Sequence, residues 1–186
     1  GAILFKENNT TYKAVKLLDI AFKSGESEIQ PQEGKGVEIR IPVPKGYEYC
    51  EEFLICHRHG GIDDYETFVV APVDGYLIFT ATKFSEFEIY AKATLSIKTL
   101  PAKLSYAYKE ALDISGLALI ITDDGGNTVE VTDTSKMKVT GYDPKKVGTQ
   151  TINVEYEGLK ADFNVTVEYT WWQWIIRILL LGFLWY

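Results

Sequence analysis

The sequence predicts an all-β protein with two tandem β-sandwich domains, followed by a short hydrophobic helix at the C-terminus. Val, Ile, Thr, Tyr and Phe alternate with charged residues along most of the chain, which is the period of a half-buried strand. Gly, Asp and Pro interrupt these runs at intervals of about 8–12 residues, a spacing typical of sandwiches. The last sixteen residues, 171–186, lack both the alternation and any acidic residue.

Length and charge limit the classes of protein to which the chain can belong. Its 186 residues suit one large or two small domains, each able to bury a core. Against 19 basic residues there are 26 acidic ones, a formal net charge of −7. A nucleic-acid surface needs clustered Lys and Arg, so we expect no nucleic-acid partner. The opening Gly-Ala-Ile-Leu-Phe-Lys does not resemble a signal peptide, and we expect a C-terminal piece of a longer protein.

The first predicted domain comprises residues 1–92 and contains the clearest strand of this half. Residues 12–22 predict a strand pair or one long bent strand. In residues 37–43 the apolar side chains fall on one face, and Glu38 and Arg40 fall on the other. Shorter strands are predicted at residues 53–56, 67–71 and 76–82.

Two sequence features mark the C-terminal part of the first predicted domain. Asp74-Gly75 is a hairpin signal between the last two of those strands. In residues 84–91 the alternation places Phe87, Ile89 and Ala91 on one face and Glu86, Glu88 and Tyr90 on the other. We place the domain boundary near Lys92–Thr94, with no flexible linker.

The second predicted domain comprises residues 93–169. A continuous apolar strand at 117–122 is expected to be covered on both faces, and the strands at 149–156 and 161–168 alternate. Residues 123–127 predict a type I′ turn, and Lys109–Leu112 one helical turn. Gly116, Gly148 and Gly158 stand where strands meet turns and positive φ is expected. Tyr106 and Tyr156 are expected in the core or at a corner.

The second half carries four motifs in a fixed order: Pro101-x-Lys103-x-x-Tyr106, Glu110-x-Leu112-Asp113-x-Ser115-Gly116-Leu117, Asp124-Gly125, and Asp143-Pro144-x-x-x-Gly148-x-x-Thr151-x-x-Val154-x-Tyr156-x-Gly158. In these motifs it resembles the bacterial Ig-like domains (group 3 type), which occur in tandem on Gram-positive surface proteins. The family usually has Gly before the Glu, where this chain has Lys109. The resemblance implies a Greek-key Ig-like fold with no catalytic residues.

The first half resembles the β domain that often precedes such repeats in the same surface proteins. The matching runs are Leu18-Asp19, Ile29-Gln30-Pro31, Val37-x-Ile39-x-Ile41-Pro42-x-Pro44-x-Gly46-Tyr47, and Asp74-Gly75-Tyr76-x-x-Phe79-x-x-x-x-Phe84-Ser85. The resemblance implies stalk, spacer or adhesion modules.

Cysteine and histidine are scarce. Cys50 and Cys56 are expected to be free thiols, although a bond across five residues would close a small loop. Cys56-His57-x-His59 is the one metal-like cluster of the sequence. On a strand, however, His57 and His59 share a face opposite to Cys56, which splits the ligands. We therefore predict solvent-facing histidines at a strand end and no metal, no cofactor and no enzyme activity.

Two further groups could bind a ligand. The acidic turns at Asp123-Asp124 and Asp63-Asp64 offer oxygen atoms to calcium, but neither has the spacing of a calcium loop. Exposed aromatic rings stack on sugars in carbohydrate-binding modules, and a tyrosine platform is an alternative if four side chains converge (Tyr47, Tyr49, Tyr65 and Tyr76).

The C-terminal tail, residues 170–186, holds all four tryptophans, and Arg177 is its single charge. Aromatic residues at both ends match the belts of a membrane-spanning helix, although sixteen helical residues rise roughly 24 Å and the hydrocarbon core is about 30 Å thick. The candidate interaction residues are Trp171, Trp172, Trp174, Arg177, Phe183, Trp185 and Tyr186. The tail is an anchor, a surface helix, or else a buried core helix or last strand. Gln173 and Arg177 share a face that would snorkel, line a helix contact or tilt the helix.

The sequence thus predicts a non-catalytic stalk or adhesion module. It would lie at the membrane-proximal end of a larger bacterial surface protein, extracellular, with a membrane or hydrophobic partner on the tail and a host or glycan ligand elsewhere. The alternative is a secreted glycan- or ligand-binding module whose tail packs on its own fold or on a dimer partner.

Overall fold

The computed structural model describes residues 3–59 and 64–183. Fifteen strands, one short 3-10 helix (Thr134–Lys136) and one α-helix make up its regular structure, which confirms the all-β prediction with a C-terminal helix. The strands of the first half are β1 (Leu4–Glu7), β2 (Thr10–Asp19), β3 (Phe22–Ser24), β4 (Ser27–Ile29), β5 (Val37–Pro42), β6 (Phe53–Arg58), β7 (Tyr65–Val70), β8 (Tyr76–Ala81) and β9 (Glu86–Thr99). Those that follow are β10 (Ser105–Ala107), β11 (Ala118–Asp123), β12 (Thr128–Val131), β13 (Lys138–Thr140), β14 (Gly148–Tyr156), β15 (Leu159–Glu168) and the helix α1 (Trp171–Phe183).

The chain forms two compact units, and no single position in the sequence separates them. The first runs to Thr94 and also takes in Thr122–Val129, and the second comprises Leu95–Ile121 and the residues from Glu130 onward. Strand β9 is continuous through Lys92–Thr94. The two separate strands predicted on either side of that position are therefore one element, because no Pro or Gly interrupts the ladder there.

The first unit is a sandwich built around an antiparallel sheet in the order β1-β2-β9-β6-β7. Strand β2 shifts register between Ala14 and Lys16, so it is the long bent strand of the two alternatives. A second sheet pairs β5 with β8. Alternating side chains from both sheets form one core, with Phe53, Ile55, Phe87, Ile89 and Ala91 from the larger sheet and Ile39, Ile41, Leu77, Phe79 and Ala81 from the smaller.

The outer face of the larger sheet carries a second, smaller core. Tyr12, Leu54, Cys56 and Tyr90 are buried there, and Phe5 packs against them. Tyr90 therefore lies on the face opposite to Phe87, Ile89 and Ala91, as predicted, and is buried there. Alternation assigns a side chain to a face, but it does not say whether another element covers that face.

Asp74-Gly75 forms a tight turn but not the predicted hairpin. Both residues have positive φ (50° and 79°), and Val73 and Tyr76 pair across them. Nevertheless, β7 pairs with β6, and β8 pairs with β5. Pro72 precedes the turn and has no N–H to donate, so the ladder cannot continue from the turn into β7.

The second unit contains a four-stranded sheet in the order β10-β15-β14-β13, in which β10 and β15 are parallel. The C-terminal part of β9 lies in the same sheet as β11 and β12. The predicted alternation is confirmed in β14 and β15, whose buried residues include Ile152, Val154, Phe163, Val165 and Val167. Leu119 and Ile121 of β11 share one face and are fully buried, whereas Ile120 and Thr122 on the other face are half-buried. Contrary to the prediction, the strand is therefore not fully covered on both faces.

The predictions made for the turns and tyrosines of this unit are confirmed in part. Gly116, Gly148 and Gly158 have positive φ, as predicted. Tyr106 is buried, whereas Tyr156 is half-buried. The helical turn predicted at Lys109–Leu112 is wrong, because the backbone N–H of Glu110 donates to the carbonyl of Ala107 and Lys109 adopts φ 71°.

Candidate functional site

Helix α1 begins directly after Thr170. The backbone N–H of Trp174 donates to the Thr170 carbonyl (3.1 Å), and the Thr170 N–H donates to Gln173 Oε1 (3.0 Å). A side chain at the third helical position that reaches back to the N-cap N–H is one half of a capping box. The thirteen residues rise about 20 Å.

The polar stripe of α1 faces the second unit's own aromatic residues. The Arg177 guanidinium carbon lies 4.5 Å from the centre of the Tyr169 ring. The Trp174 ring meets Tyr169 edge-on at 5.8 Å, and Tyr108 lies 5.0 Å from Tyr169 on the other side. Gln173 and Arg177 line a cleft of about 360 Å³ with Tyr108 and Tyr169. The Arg177 side chain therefore contacts an aromatic residue of the protein itself.

The rest of the α1 surface is apolar and exposed to solvent. Nine large apolar side chains are between 42% and 68% exposed, namely Trp171, Trp172, Trp174, Ile175, Ile176, Ile178, Leu179, Leu180 and Leu181. The interpretation of this segment as a buried core helix or last strand is therefore wrong. Among the described residues, no helix has the length and hydropathy that crossing a membrane requires. Phe183 ends the described helix, and Trp185 and Tyr186 lie outside the described residues.

The four tyrosines of the predicted platform lie in different surroundings. Tyr49 is 96% exposed, and Tyr65 and Tyr76 are partly exposed. Tyr65 meets Phe5 edge-on, and Arg40 lies over the Tyr76 ring. Tyr47 is buried and cannot contribute to a platform.

Tyr47 belongs instead to a buried polar cluster around Asp123. Asp123 Oδ2 accepts from Lys13 Nζ (2.6 Å) and from the Tyr47 hydroxyl (2.9 Å). Asp123 Oδ1 accepts from the backbone N–H of Asn127 (2.9 Å), whose Nδ2 also donates to the Tyr47 oxygen (2.8 Å). A Cβ at Gly125 would lie 2.5 Å from the Tyr47 ring, so the close approach of the turn requires glycine.

These contacts shift the pKa values of Asp123 and Tyr47. Burial raises the pKa of Asp123, but the hydrogen bonds from Lys13, Asn127 and Tyr47 outweigh it and lower the net pKa. Burial and the bond to Asp123 raise the pKa of Tyr47 to about 12. Asp123 is thus an ionised structural anchor. The turn is not type I′, because Gly126 has positive φ and Gly125 does not.

Both cysteines are free, as predicted, and the structure buries both of them. Cys56 lies on the outer face of the large sheet, whereas His57 points into the sandwich and is fully buried. The prediction of solvent-facing histidines is therefore wrong for His57. Its strand register explains this: His57 stands opposite Glu66 on β7 and Phe87 on β9, in the covered centre of the sheet.

The structure brings together three metal-binding side chains that the sequence does not group. One ligand atom from each of His57, His59 and Glu66 lies within 4.8 Å of the others. Sequence reasoning missed Glu66, because its approach depends on the β6–β7 register. The Asp63-Asp64 turn falls partly outside the described residues, since residues 60–63 are not among them.

Comparison with known proteins places the second half in a family. The family model of the bacterial Ig-like domain (group 3) matches residues 99–167. The chain is 32% identical over 93 residues to an exo-beta-1,6-galactobiohydrolase of Bifidobacterium longum subsp. longum. That match covers 48% of this chain and 6% of the enzyme, so the chain spans only a small fraction of that relative.

A solved structure also matches part of the chain. The solution structure of a presumed surface protein is 26% identical, covering 42% of this chain and 91% of that one, with a TM-score of 0.27. Domains of the matched family are non-catalytic in general. Residues 99–167 of this chain are a bacterial Ig-like domain of group 3.

Proposed function

We propose that this chain is a non-catalytic, extracellular stalk module of a larger bacterial surface protein, and that helix α1 docks it on a membrane surface. The observation that carries the proposal is the bare apolar surface of α1, which neither unit of the described chain covers. Patches of this kind mark interaction sites, and water opposes their exposure. The Ig-like domain supports an extracellular role, since it is a module of surface proteins.

The first turn of α1 suits a position in the membrane interface. Three tryptophans occupy its first turn, where amphipathic rings sit well at the level of lipid headgroups. Burying a large apolar side chain contributes about 1.5–3 kcal/mol. Nine partly exposed side chains therefore supply on the order of 10 kcal/mol, enough for partition.

The test is flotation of the full chain with phosphatidylcholine vesicles, with and without anionic lipid. We expect the wild type to float with both, since apolar contact dominates and Arg177 is engaged by Tyr169. Leu179→Glu combined with Leu180→Glu should abolish flotation without changing the β domains. Val147→Glu is the matched control, because it places an acid on a partly exposed apolar residue outside the helix. A wild type that stays at the bottom of the gradient would refute the membrane role.

A second candidate is a glycan-binding accessory module of a secreted enzyme. It is favoured by the exposed ring of Tyr49 and by the name of the Bifidobacterium relative, an exo-beta-1,6-galactobiohydrolase. Under this proposal α1 covers a second copy of the chain instead of a lipid surface. Retardation in a galactan-containing gel, lost in Tyr49→Ala, would support it, and equal mobility with and without galactan would exclude it.

A further inference from the structure

His57 has a hydrogen-bond arrangement that a neutral imidazole cannot complete while Glu66 is a carboxylate. Ser85 Oγ donates to the carbonyl oxygen of Arg58, which can only accept. Its one hydrogen is then used, so Ser85 Oγ must accept from His57 Nε2–H at 2.9 Å. Neutral His57 consequently turns a bare Nδ1 toward Glu66 Oε1, 2.8 Å away. Two acceptors face each other at hydrogen-bond distance.

A positive charge between these two atoms removes the conflict. It is either a second proton on His57 or a bound cation. The surroundings oppose the proton: the ring is fully buried and stacks on Phe87 at 4.1 Å, with the His59 ring 4.2 Å away on another side. A bound cation satisfies both acceptors and leaves the imidazole neutral.

His59 brings a third ligand to the same place. Its Nε2 lies 3.8 Å from Glu66 Oε1, and its Nδ1 is buried without a hydrogen-bond partner in the described part of the chain. Zinc bonds of about 2.0–2.1 Å in a tetrahedron place two ligand atoms about 3.3 Å apart. The two measured separations from Glu66 Oε1, 2.8 and 3.8 Å, lie on either side of that value.

We propose that His57, His59 and Glu66 bind a divalent transition-metal ion of the Zn²⁺ type. Two imidazoles and one carboxylate suit zinc better than calcium or magnesium, which prefer oxygen ligands. Ser85 fixes the tautomer of His57 from outside the site, as second-shell partners of metal-bound histidines do. An adjacent cavity of about 480 Å³ is lined by His59 and Ser85 and has room for a water molecule as fourth ligand. Lys83 and Glu33 line the same cavity with opposite charges.

Calorimetric titration of the chelator-treated full chain with Zn²⁺ tests the site. We expect one ion per chain, together with the visible absorption of tetrahedral cobalt when Co²⁺ replaces Zn²⁺. Glu66→Gln and His59→Gln should each weaken zinc binding at least about tenfold, since losing a direct ligand costs no less than losing a second-shell partner. Glu38→Gln is the matched control, because it removes the same charge from an exposed strand residue and should bind zinc as the wild type does.

Thermal unfolding separates a lost ligand from a lost fold. In Glu66→Gln an amide N–H can donate to His57 Nδ1, so the metal-free variant should melt at or above the metal-free wild type. Zinc should raise the melting temperature of the wild type and leave that of the variant unchanged. A wild type that binds no zinc would overturn the proposal. So would zinc binding at the wild-type affinity in either Glu66→Gln or His59→Gln.

Discussion

Lys109 holds a backbone conformation that its side chain disfavours. Its φ of 71° lies in the left-handed region, which costs an L-residue about 1–2 kcal/mol. The position stands before Glu110, where the related Ig-like domains usually carry Gly. The carboxylate of Glu110 accepts from the N–H of Ala107, and its side chain also pairs with Lys103. Contacts around the turn therefore maintain the conformation despite its cost.

Replacing Lys109 by Gly should stabilise the second unit. The left-handed cost disappears, and the added freedom of Gly in the unfolded chain offsets part of the gain, leaving about 0.5–1 kcal/mol. Urea unfolding measures the difference. Lys109→Ala is the control, since it also loses the contact with the Tyr108 ring but keeps a Cβ. If glycine gave no gain over alanine, the left-handed strain would not be a cost at this turn.

Asp123 should be the most sensitive acid of the first unit. Its side chain is fully buried and paired with Lys13, itself only 12% exposed. Asp123→Asn leaves that lysine without an anion, and breaking a buried pair in this way costs about 3–5 kcal/mol. Asp124→Asn, an adjacent and exposed position, should change the free energy of unfolding little. Equal stabilities of the two variants in urea would contradict a buried ion pair.

The same residue predicts part of the acid sensitivity of the chain. Because its folded pKa is lowered, Asp123 contributes stability above its unfolded pKa of about 3.9 and loses it as pH falls through the folded value. Stability measured in urea from pH 6 down to pH 3 should therefore fall more steeply in the wild type than in Asp123→Asn. Parallel curves would mean that Asp123 keeps its ordinary pKa in the folded protein.

At the scale of elements, the start of α1 depends on one side chain. Gln173 Oε1 accepts from the Thr170 N–H, which would otherwise lack a partner at the N-terminus of the helix. Gln173→Ala should destabilise the first turn by about 0.5–1 kcal/mol. Hydrogen exchange at the Thr170 amide should quicken accordingly. Gln173→Glu keeps an acceptor and adds a charge that the helix N-terminus favours, so exchange there should stay slow. Equal exchange in the alanine variant would refute the capping role.

Strands whose one face is buried could be predicted from the sequence, whereas their partners could not. Alternation identified β5, β14 and β15, because period 2 is visible in a single chain. The burial of Tyr90 and of His57 depends on which strands flank them, and register is set by turns and partners far along the chain. The approach of Glu66 to His57 and of Asp123 to Tyr47 has the same origin, so neither cluster is visible as a motif.

For the whole molecule, the order of the chain and the order of the folded units differ. The segment Thr122–Val129 comes from the second half of the sequence but belongs to the first unit. It supplies Asp123 to Lys13 and Tyr47, and Asn127 to Tyr47. A cut near residue 94 therefore removes part of the first unit, even though that position matches the boundary expected from composition.

A fragment ending at Thr94 should consequently be less stable than the first unit within the full chain. Without Asp123, Lys13 and the Tyr47 hydroxyl lose their buried acceptor, and unpaired groups of this kind cost about 2 kcal/mol or more. Urea unfolding followed by tyrosine fluorescence should give a lower midpoint for the fragment. Asp123→Asn in the full chain should reproduce much of that loss, which separates the missing carboxylate from the missing backbone. A fragment as stable as the intact first unit would mean that the segment is attached to this unit without supporting it.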